Sequence, residues 1–263
     1  MAGPVVTEEP ESCSIDEFME QNPAGNATDG TTDDDDPVFL FFQKHPRVAS
    51  SMFIELLGNL AESNGFRHID SAKKVNSKRR NIDHSDRISD YLKTKNCATE
   101  DSPLLYSDHN VWIDFNEKGM VQPKFITFIR NPVDEFISEY YYCRFGTTGR
   151  PQYRTSDCKS MSMKKLKIDP AECMNNYSKF VKNCILPHPT QLTDRLCGLE
   201  DKCDMGEPTS SHNFQKVMAI ELTKNRIMQN FAFVGIADHM ILSLQVLENV
   251  APRFFKNVIQ IGN

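Results

Sequence analysis

Apolar residues in this chain gather in short runs that alternate with polar, small-residue loops. Val38 to Phe42 (VFLFF) is a continuous apolar run, and such a run predicts a strand buried on both faces of a parallel sheet. Gln43 to Ser51 (QKHPRVASS) is polar; from Ser50 onward Met52, Phe53, Leu56, Leu57 and Leu60 recur at helical spacing. The same order returns at Lys124 to Ile129 (KFITFI), then Arg130-Asn131-Pro132, then a helix bearing Val133, Phe136, Ile137 and Tyr140. Pro132 suits a first helical turn, where its missing amide hydrogen costs nothing. Asn213 to Met228 predicts another helix, Phe231 to Ile236 (FAFVGI) a third strand, and Met240 to Val250 an amphipathic helix. Strand-to-helix units in succession predict an α/β fold. Residues 66 to 100 are strongly charged and predict exposed helix and loop, while residues 146 to 208 are rich in loops, prolines and cysteines.

Charge is unevenly placed along the 263 residues, a length that suits one globular domain with a sizeable core. Residues 1 to 36 hold 11 Asp and Glu and no Lys or Arg, which predicts a solvated acidic tail ahead of a domain over 37 to 263. The rest carries 30 basic against 25 acidic side chains, so a net charge of −6 hides a body at +5, compatible with polyanionic partners. No window of 18 apolar residues predicts a membrane span, and the N-terminus lacks the basic and apolar regions of a signal peptide. The cysteines point the other way. Eight are present, four of them clustered at Cys173, Cys184, Cys197 and Cys203, and of two glycosylation sequons, at Asn26 and Asn176, the second falls inside that cluster. That pattern fits a secretory lumen. The conflict is reconciled by an anchor missing from this chain or by a non-standard start.

Chemistry concentrates at the strand-to-helix loops. Unpaired amides and the helix dipole make such a loop an anion site, and Lys44-His45-Pro46-Arg47-Val48-Ala49-Ser50-Ser51 adds two cations and two hydroxyls. An ordinary turn with a serine cap is the plain alternative. Neither the Walker A pattern nor the G-x-G-x-x-G dinucleotide pattern is present. The second unit offers Arg130 at the strand end and Ser138 two helical turns later. Two anion-suited loops on one sheet suggest a nucleotide phosphorylated at both ends.

At this point the segments KHPRVASSMFIELL, FITFIRNPVDEFISEYYYCRFG, CGLEDKC and FVGIADHMILSLQVLENVAPRFFK together resemble the uronosyl 2-O-sulfotransferases of heparan and dermatan sulfate, and look closest to the insect Pipe-type members. The resemblance covers roughly residues 37 to 258. It implies a P-loop-like sulfotransferase fold, a central parallel sheet flanked by helices with a disulfide-bearing, loop-rich insert. It also implies transfer of a sulfuryl group from 3′-phosphoadenosine 5′-phosphosulfate to a uronic acid 2-hydroxyl of a glycosaminoglycan or glycoprotein glycan, in the Golgi lumen, with no metal and no nucleic acid partner. A membrane anchor is expected only outside this chain, and homo-oligomer formation is left open.

Residue by residue, the resemblance places Arg47, Ala49, Ser50 and Ser51 on the 5′-phosphosulfate, Arg130 and Ser138 on the 3′-phosphate, and His109 as catalytic base. Arg47 stands where the family has a catalytic lysine, and Ser107 where some members have a second histidine. Lys44, Arg144, Arg150 and Arg154 match basic positions that meet the acceptor. Cys197 with Cys203, and Cys173 with Cys184, match the family's disulfide loops, and Asn176 is the expected glycosylation site. Because a guanidinium holds its proton and is bulkier than an ammonium, the alternative is a catalytically silent relative that binds nucleotide or anionic glycan without turnover. A nucleotide kinase is disfavoured by the absent Walker lysine and the cysteine pairs.

Overall fold

The computed structural model describes residues 36–71, 82–95, 98–145, 169, 171, 192–198, 200, 203 and 213–262. Five strands form one sheet: β1 (Phe39–Gln43), β2 (Arg67–Asp70), β3 (Leu104–Asp108), β4 (Lys124–Ile129) and β5 (Phe231–Ile236). Their order across the sheet is β2-β3-β1-β4-β5, and every pairing is parallel. The expected central parallel sheet with flanking helices is therefore present, and its centre is the VFLFF segment. Two strands, β2 and β3, join the three that the apolar runs predict.

Alternation along the strands sorts side chains onto two faces. Leu40 and Phe42 of β1, Leu105 of β3, Ile126 and Phe128 of β4 and Phe233 of β5 face one layer. They meet Phe53, Leu56, Leu57 and Leu60 of α1 (Ser50–Asn64), and Leu244 and Leu247 of a later helix, Met240–Val250. Phe53 sits at the centre of this layer, with ring centroids 4.8 Å from both Phe42 and Phe128. On the other face Phe41, Leu104, Tyr106 and Phe125 meet Ile88 and Leu92 of α2 (Ile82–Lys95) and the segment Trp112 to Phe115. Both sheet faces are thus covered, which is why the central strands read as unbroken apolar runs.

The remaining helices are α3 (Pro132–Phe145), α4 (Leu192–Cys197), α5 (Asn213–Asn230), α6 (Met240–Val250), α7 (Pro252–Phe255) and α8 (Val258–Ile261). The connection leaving β1 leads to one edge of the sheet and that leaving β4 to the other, although the two strands are neighbours. Such a reversal opens a crevice beyond the carboxyl ends of adjacent strands, where α/β folds bind ligands. Asp36, last of the acidic run, is attached to the domain: its carboxylate accepts from the Arg253 amide at 2.9 Å. Among the described residues no helix is long and apolar enough to cross a membrane.

Candidate functional site

The loop between β1 and α1 has an unusual backbone. Arg47 and Ala49 both take left-handed conformations, at φ 64° and 62°, which strain a residue with a Cβ and persist only where surrounding structure holds them. Two fastenings are visible. Val48, buried between them, plugs into the core under α1, and Ser50 Oγ donates to the His45 carbonyl at 2.8 Å. Ala49 occupies the N-cap position and supplies no side-chain cap, and the first helical bond is Phe53 N to Ala49 O at 3.1 Å. The amides of Ser50, Ser51 and Met52 consequently have no acceptor among the described residues, and they point with the helix dipole out of the strand end. Ala49 and Ser51 are exposed there. The Ser50 hydroxyl, expected on a ligand, holds the loop together.

The neighbouring loop, from β4 to α3, is built differently. Asn131 Oδ1 accepts from Val133 N at 2.9 Å, and Asp134 and Glu135 fill the first turn. This helix end is capped and acidic, so any affinity for anions comes from the Arg130 side chain. Arg130 Nη1 donates to the Arg47 carbonyl at 3.3 Å, which ties the two loops together across β1 and β4. Its Nε lies 3.2 Å from Asp238 Oδ1, while Asp238 Oδ2 accepts from Asn131 N at 3.4 Å. Arg130, Asn131, Asp134, Asp238 and His239 line one open depression together with Ile129 and Ile236. Ser138 lies half-buried on α3.

Arg47 turns its side chain toward α3. Its guanidinium carbon stands 3.6 Å from the centre of the Tyr142 ring, and its Nε is 3.3 Å from Glu139 Oε2. Stacking on a ring while pairing with a carboxylate is an arrangement that suits a guanidinium better than an ammonium.

His109 follows β3, one strand to the other side of β1. Its side chain is accessible at the surface, yet enough protein surrounds it to desolvate the ring. Desolvation by that crowding, then the charges of Lys44 and Arg195, push its pKa down to about 4, against smaller opposing effects of Asp108 and of a hydrogen bond to the Lys44 backbone. The ring is therefore neutral at physiological pH. With one ring nitrogen donating to the Lys44 carbonyl, the other is left as an acceptor.

The strand ends beside His109 carry a largely buried polar cluster. Lys44, expected at the acceptor, is 3% exposed, and its ammonium is 2.5 Å from Asp70 Oδ1. Ser107 Oγ is 3.1 Å from His68 Nε2 and 3.5 Å from Asp70. Lys44 is thus held by Asp70 away from solvent, and not at an acceptor surface. Arg144 belongs to α3 by its backbone, but its side chain lies outside the described residues, as do Arg150, Arg154, Cys173, Cys184 and Asn176. Cys197 and Cys203 are joined by a disulfide with Cα atoms 5.4 Å apart. Among the described residues no cluster of three or more His, Cys, Asp or Glu is arranged to hold a metal. Sequence reasoning missed Asp238, Arg195 and the Glu139 and Tyr142 partners of Arg47; no local motif marks them, since each acts across the sheet.

An all-parallel sheet flanked by helices, with a free helix N-terminus after its first strand, is consistent with an α/β sulfotransferase fold. No family model matches the chain. Its curated relatives are sulfotransferases, in agreement with the resemblance of its motifs. Uronyl 2-sulfotransferase homolog pip of Drosophila melanogaster is 29% identical over 235 residues, covering 83% of this chain and 42% of the relative. Human uronyl 2-sulfotransferase is 28% identical over 227 residues, covering 86% and 51%. Heparan sulfate 2-O-sulfotransferase hst-2 of Caenorhabditis elegans is 26% identical over 223 residues, covering 84% and 62%. The chain spans about half the length of the first two of these relatives.

Asp238 gives a direct prediction. With Arg130 as the expected 3′-phosphate ligand, Asp238 competes for its guanidinium, so Asp238→Asn is expected to tighten 3′-phosphoadenosine 5′-phosphate binding roughly fivefold, for about 1 kcal/mol at a partly exposed pair. Calorimetric titration of both proteins reads this. Weaker binding in the variant would instead make Asp238 a strut that aims Arg130.

Proposed function

We propose that this chain is a glycan 2-O-sulfotransferase that moves a sulfuryl group from 3′-phosphoadenosine 5′-phosphosulfate to a uronic acid hydroxyl of a glycosaminoglycan or glycoprotein glycan. The observation that best supports the reading is the tie between the two loops: Arg130, at the end of β4, donates to the Arg47 carbonyl in the loop that leads to the free amides of α1, as one ligand meeting both loops would require. The names of the relatives supply the chemistry.

In that chemistry the acceptor hydroxyl oxygen bonds to sulfur while the bond from sulfur to the bridging phosphate oxygen breaks. The hydroxyl proton goes to the free nitrogen of His109, which its depressed pKa keeps neutral. The α1 amides, with Ala49, Ser50 and Ser51 around them, face the charge that gathers on the departing 5′-phosphate. Arg130 and Ser138 hold the 3′-phosphate and so orient the nucleotide. Arg47, at the family lysine's position, neutralises the leaving phosphate once it leaves Glu139 and Tyr142. Lys44, buried against Asp70, acts through its charge on His109 and not on the acceptor, and Arg144, Arg150 and Arg154 meet the polyanionic acceptor. A lumenal location in the Golgi belongs to the same reading, with the Cys173 to Cys184 pair and a glycan on Asn176.

A second reading has its own support. The Arg47 guanidinium is engaged by Glu139 and Tyr142, so a protein that binds nucleotide without turnover would have the same loop. Arg47→Lys separates the two. As an enzyme, the native chain transfers sulfate and the lysine variant does so roughly tenfold faster, a gain of about 1.4 kcal/mol in transition-state stabilisation. As a silent relative, neither transfers sulfate while both bind 3′-phosphoadenosine 5′-phosphate.

A further inference from the structure

A second cation besides Lys44 acts on His109. Arg195 lies in α4, two residues before Cys197. Its carbonyl accepts from Gln43 Nε2 at 2.9 Å and from Trp112 N at 2.7 Å. The same Gln43 amide donates to the carbonyl of Asn110, the residue after His109, at 3.0 Å. Lys44, the residue after Gln43, hydrogen-bonds the His109 ring through its backbone. One side chain, Gln43, therefore holds the backbones of Arg195 and of the His109 segment to a single junction at the strand ends.

The outer side of that junction is braced. The disulfide Cys197–Cys203 closes the loop, and Arg226 lies over the Trp112 ring at 3.9 Å, pairs with Glu200 and reaches Cys203 Sγ at 3.5 Å. Gly198 passes beneath at φ 104°, where a Cβ would meet Arg226 Nη1 at 2.9 Å and the Trp112 carbonyl at 3.2 Å. Only glycine fits there. The Arg195 backbone is thus fixed independently of its own side chain, which is half-buried and close enough for its charge to act on His109.

We propose that Arg195 anchors the acceptor, binding a carboxylate or sulfate of the sugar whose hydroxyl His109 deprotonates. The assignment rests on the sulfotransferase reading. A planar guanidinium takes two oxygens of such a group at once. Its placement also links binding to chemistry: Arg195, with Lys44, depresses the basicity of His109 while Asp108 opposes them, and an anion bound on Arg195 cancels part of that depression as the hydroxyl arrives. The base strengthens when its substrate is in place.

The test uses the full chain with saturating 3′-phosphoadenosine 5′-phosphate, titrated with three oligosaccharides: one with free uronates and no sulfate, its carboxyl-reduced form, and a sulfated carboxyl-reduced form. Arg195→Gln is expected to weaken at least one anionic oligosaccharide roughly tenfold, with Arg195→Lys recovering part of the loss and the nucleotide affinity and melting temperature unchanged. A loss confined to the free uronates identifies the carboxylate as the ligand; a loss on the sulfated carboxyl-reduced form identifies a sulfate. In the same variant the His109 pKa, followed by its ring proton resonance, is expected to rise, which a structural role for Arg195 would not produce. Equal oligosaccharide affinities in native and Arg195→Gln protein overturn the assignment. Native protein that binds neither nucleotide nor oligosaccharide overturns the sulfotransferase reading, and the assignment with it.

Discussion

Replacing His109 with alanine is expected to lower kcat for sulfate transfer by roughly 10²- to 10⁴-fold, the usual contribution of a positioned general base, while 3′-phosphoadenosine 5′-phosphate binds within about twofold of native. The split follows from position: His109 follows the end of β3, whereas the loops proposed to hold the nucleotide follow β1 and β4. Its pKa supplies a second readout. Because the folded value is lowered to about 4 by desolvation and by Lys44 and Arg195, the neutral base prevails at every pH above about 5. The acid limb of kcat/KM, which reports free protein, is expected near pH 4. That of kcat, which reports the donor complex, is expected higher, since a bound phosphosulfate favours the imidazolium. An acid limb of kcat/KM centred at 6.5, the ordinary histidine value, would show that His109 is not the titrating base.

Arg130→Ala is expected to weaken 3′-phosphoadenosine 5′-phosphate by roughly 30- to 100-fold, for about 2 to 3 kcal/mol carried by charge-assisted hydrogen bonds to one phosphate. The α3 terminus offers little compensation, being capped by Asn131 and carrying Asp134 and Glu135 in its first turn. The cost is confined to the 3′ end of the ligand. Binding of adenosine 5′-phosphate, which lacks the 3′-phosphate, is expected to change by less than about threefold, because Arg130 touches the first loop only through the Arg47 carbonyl. Calorimetry with both nucleotides on both proteins measures this, and equal losses would mean that Arg130 supports the whole loop and does not read one phosphate.

The parts of the fold legible in the sequence are those whose side chains all answer to burial. VFLFF, KFITFI and FAFVGI announce β1, β4 and β5 because apolar layers cover both faces of the sheet. β3 does not read as a strand because its last two positions, Ser107 and Asp108, are polar yet buried at the strand end beside His109. β2, RHID, has one buried residue, Ile69. In α2 a charged composition masks a buried stripe of Ser85, Ile88, Ser89 and Leu92, so the segment reads as an exposed face.

The candidate site divides along similar lines. Arg47 and Arg130 could be proposed from the strand-to-helix loops that carry them, whereas His109 could be proposed only through the family resemblance of its segment. What those residues touch could not, because Asp238 on Arg130, Glu139 and Tyr142 on Arg47, and Asp70 on Lys44 are brought together by strand order and lie 26 to 108 positions apart in the chain. Lys44 illustrates the consequence. A lysine in a polar loop reads as a surface cation, and its burial against Asp70 depends on β2 lying two strands away with β3 between.

The claim on which the rest depends is that two strand ends form one site for a nucleotide phosphorylated at both ends. Calorimetric titration of the native chain with 3′-phosphoadenosine 5′-phosphate and with adenosine 5′-phosphate tests it directly. The account predicts that the 3′-phosphate improves affinity roughly 30- to 100-fold and that the advantage disappears in Arg130→Ala. Equal affinity of the native chain for the two nucleotides, or an advantage undiminished in Arg130→Ala, would contradict it.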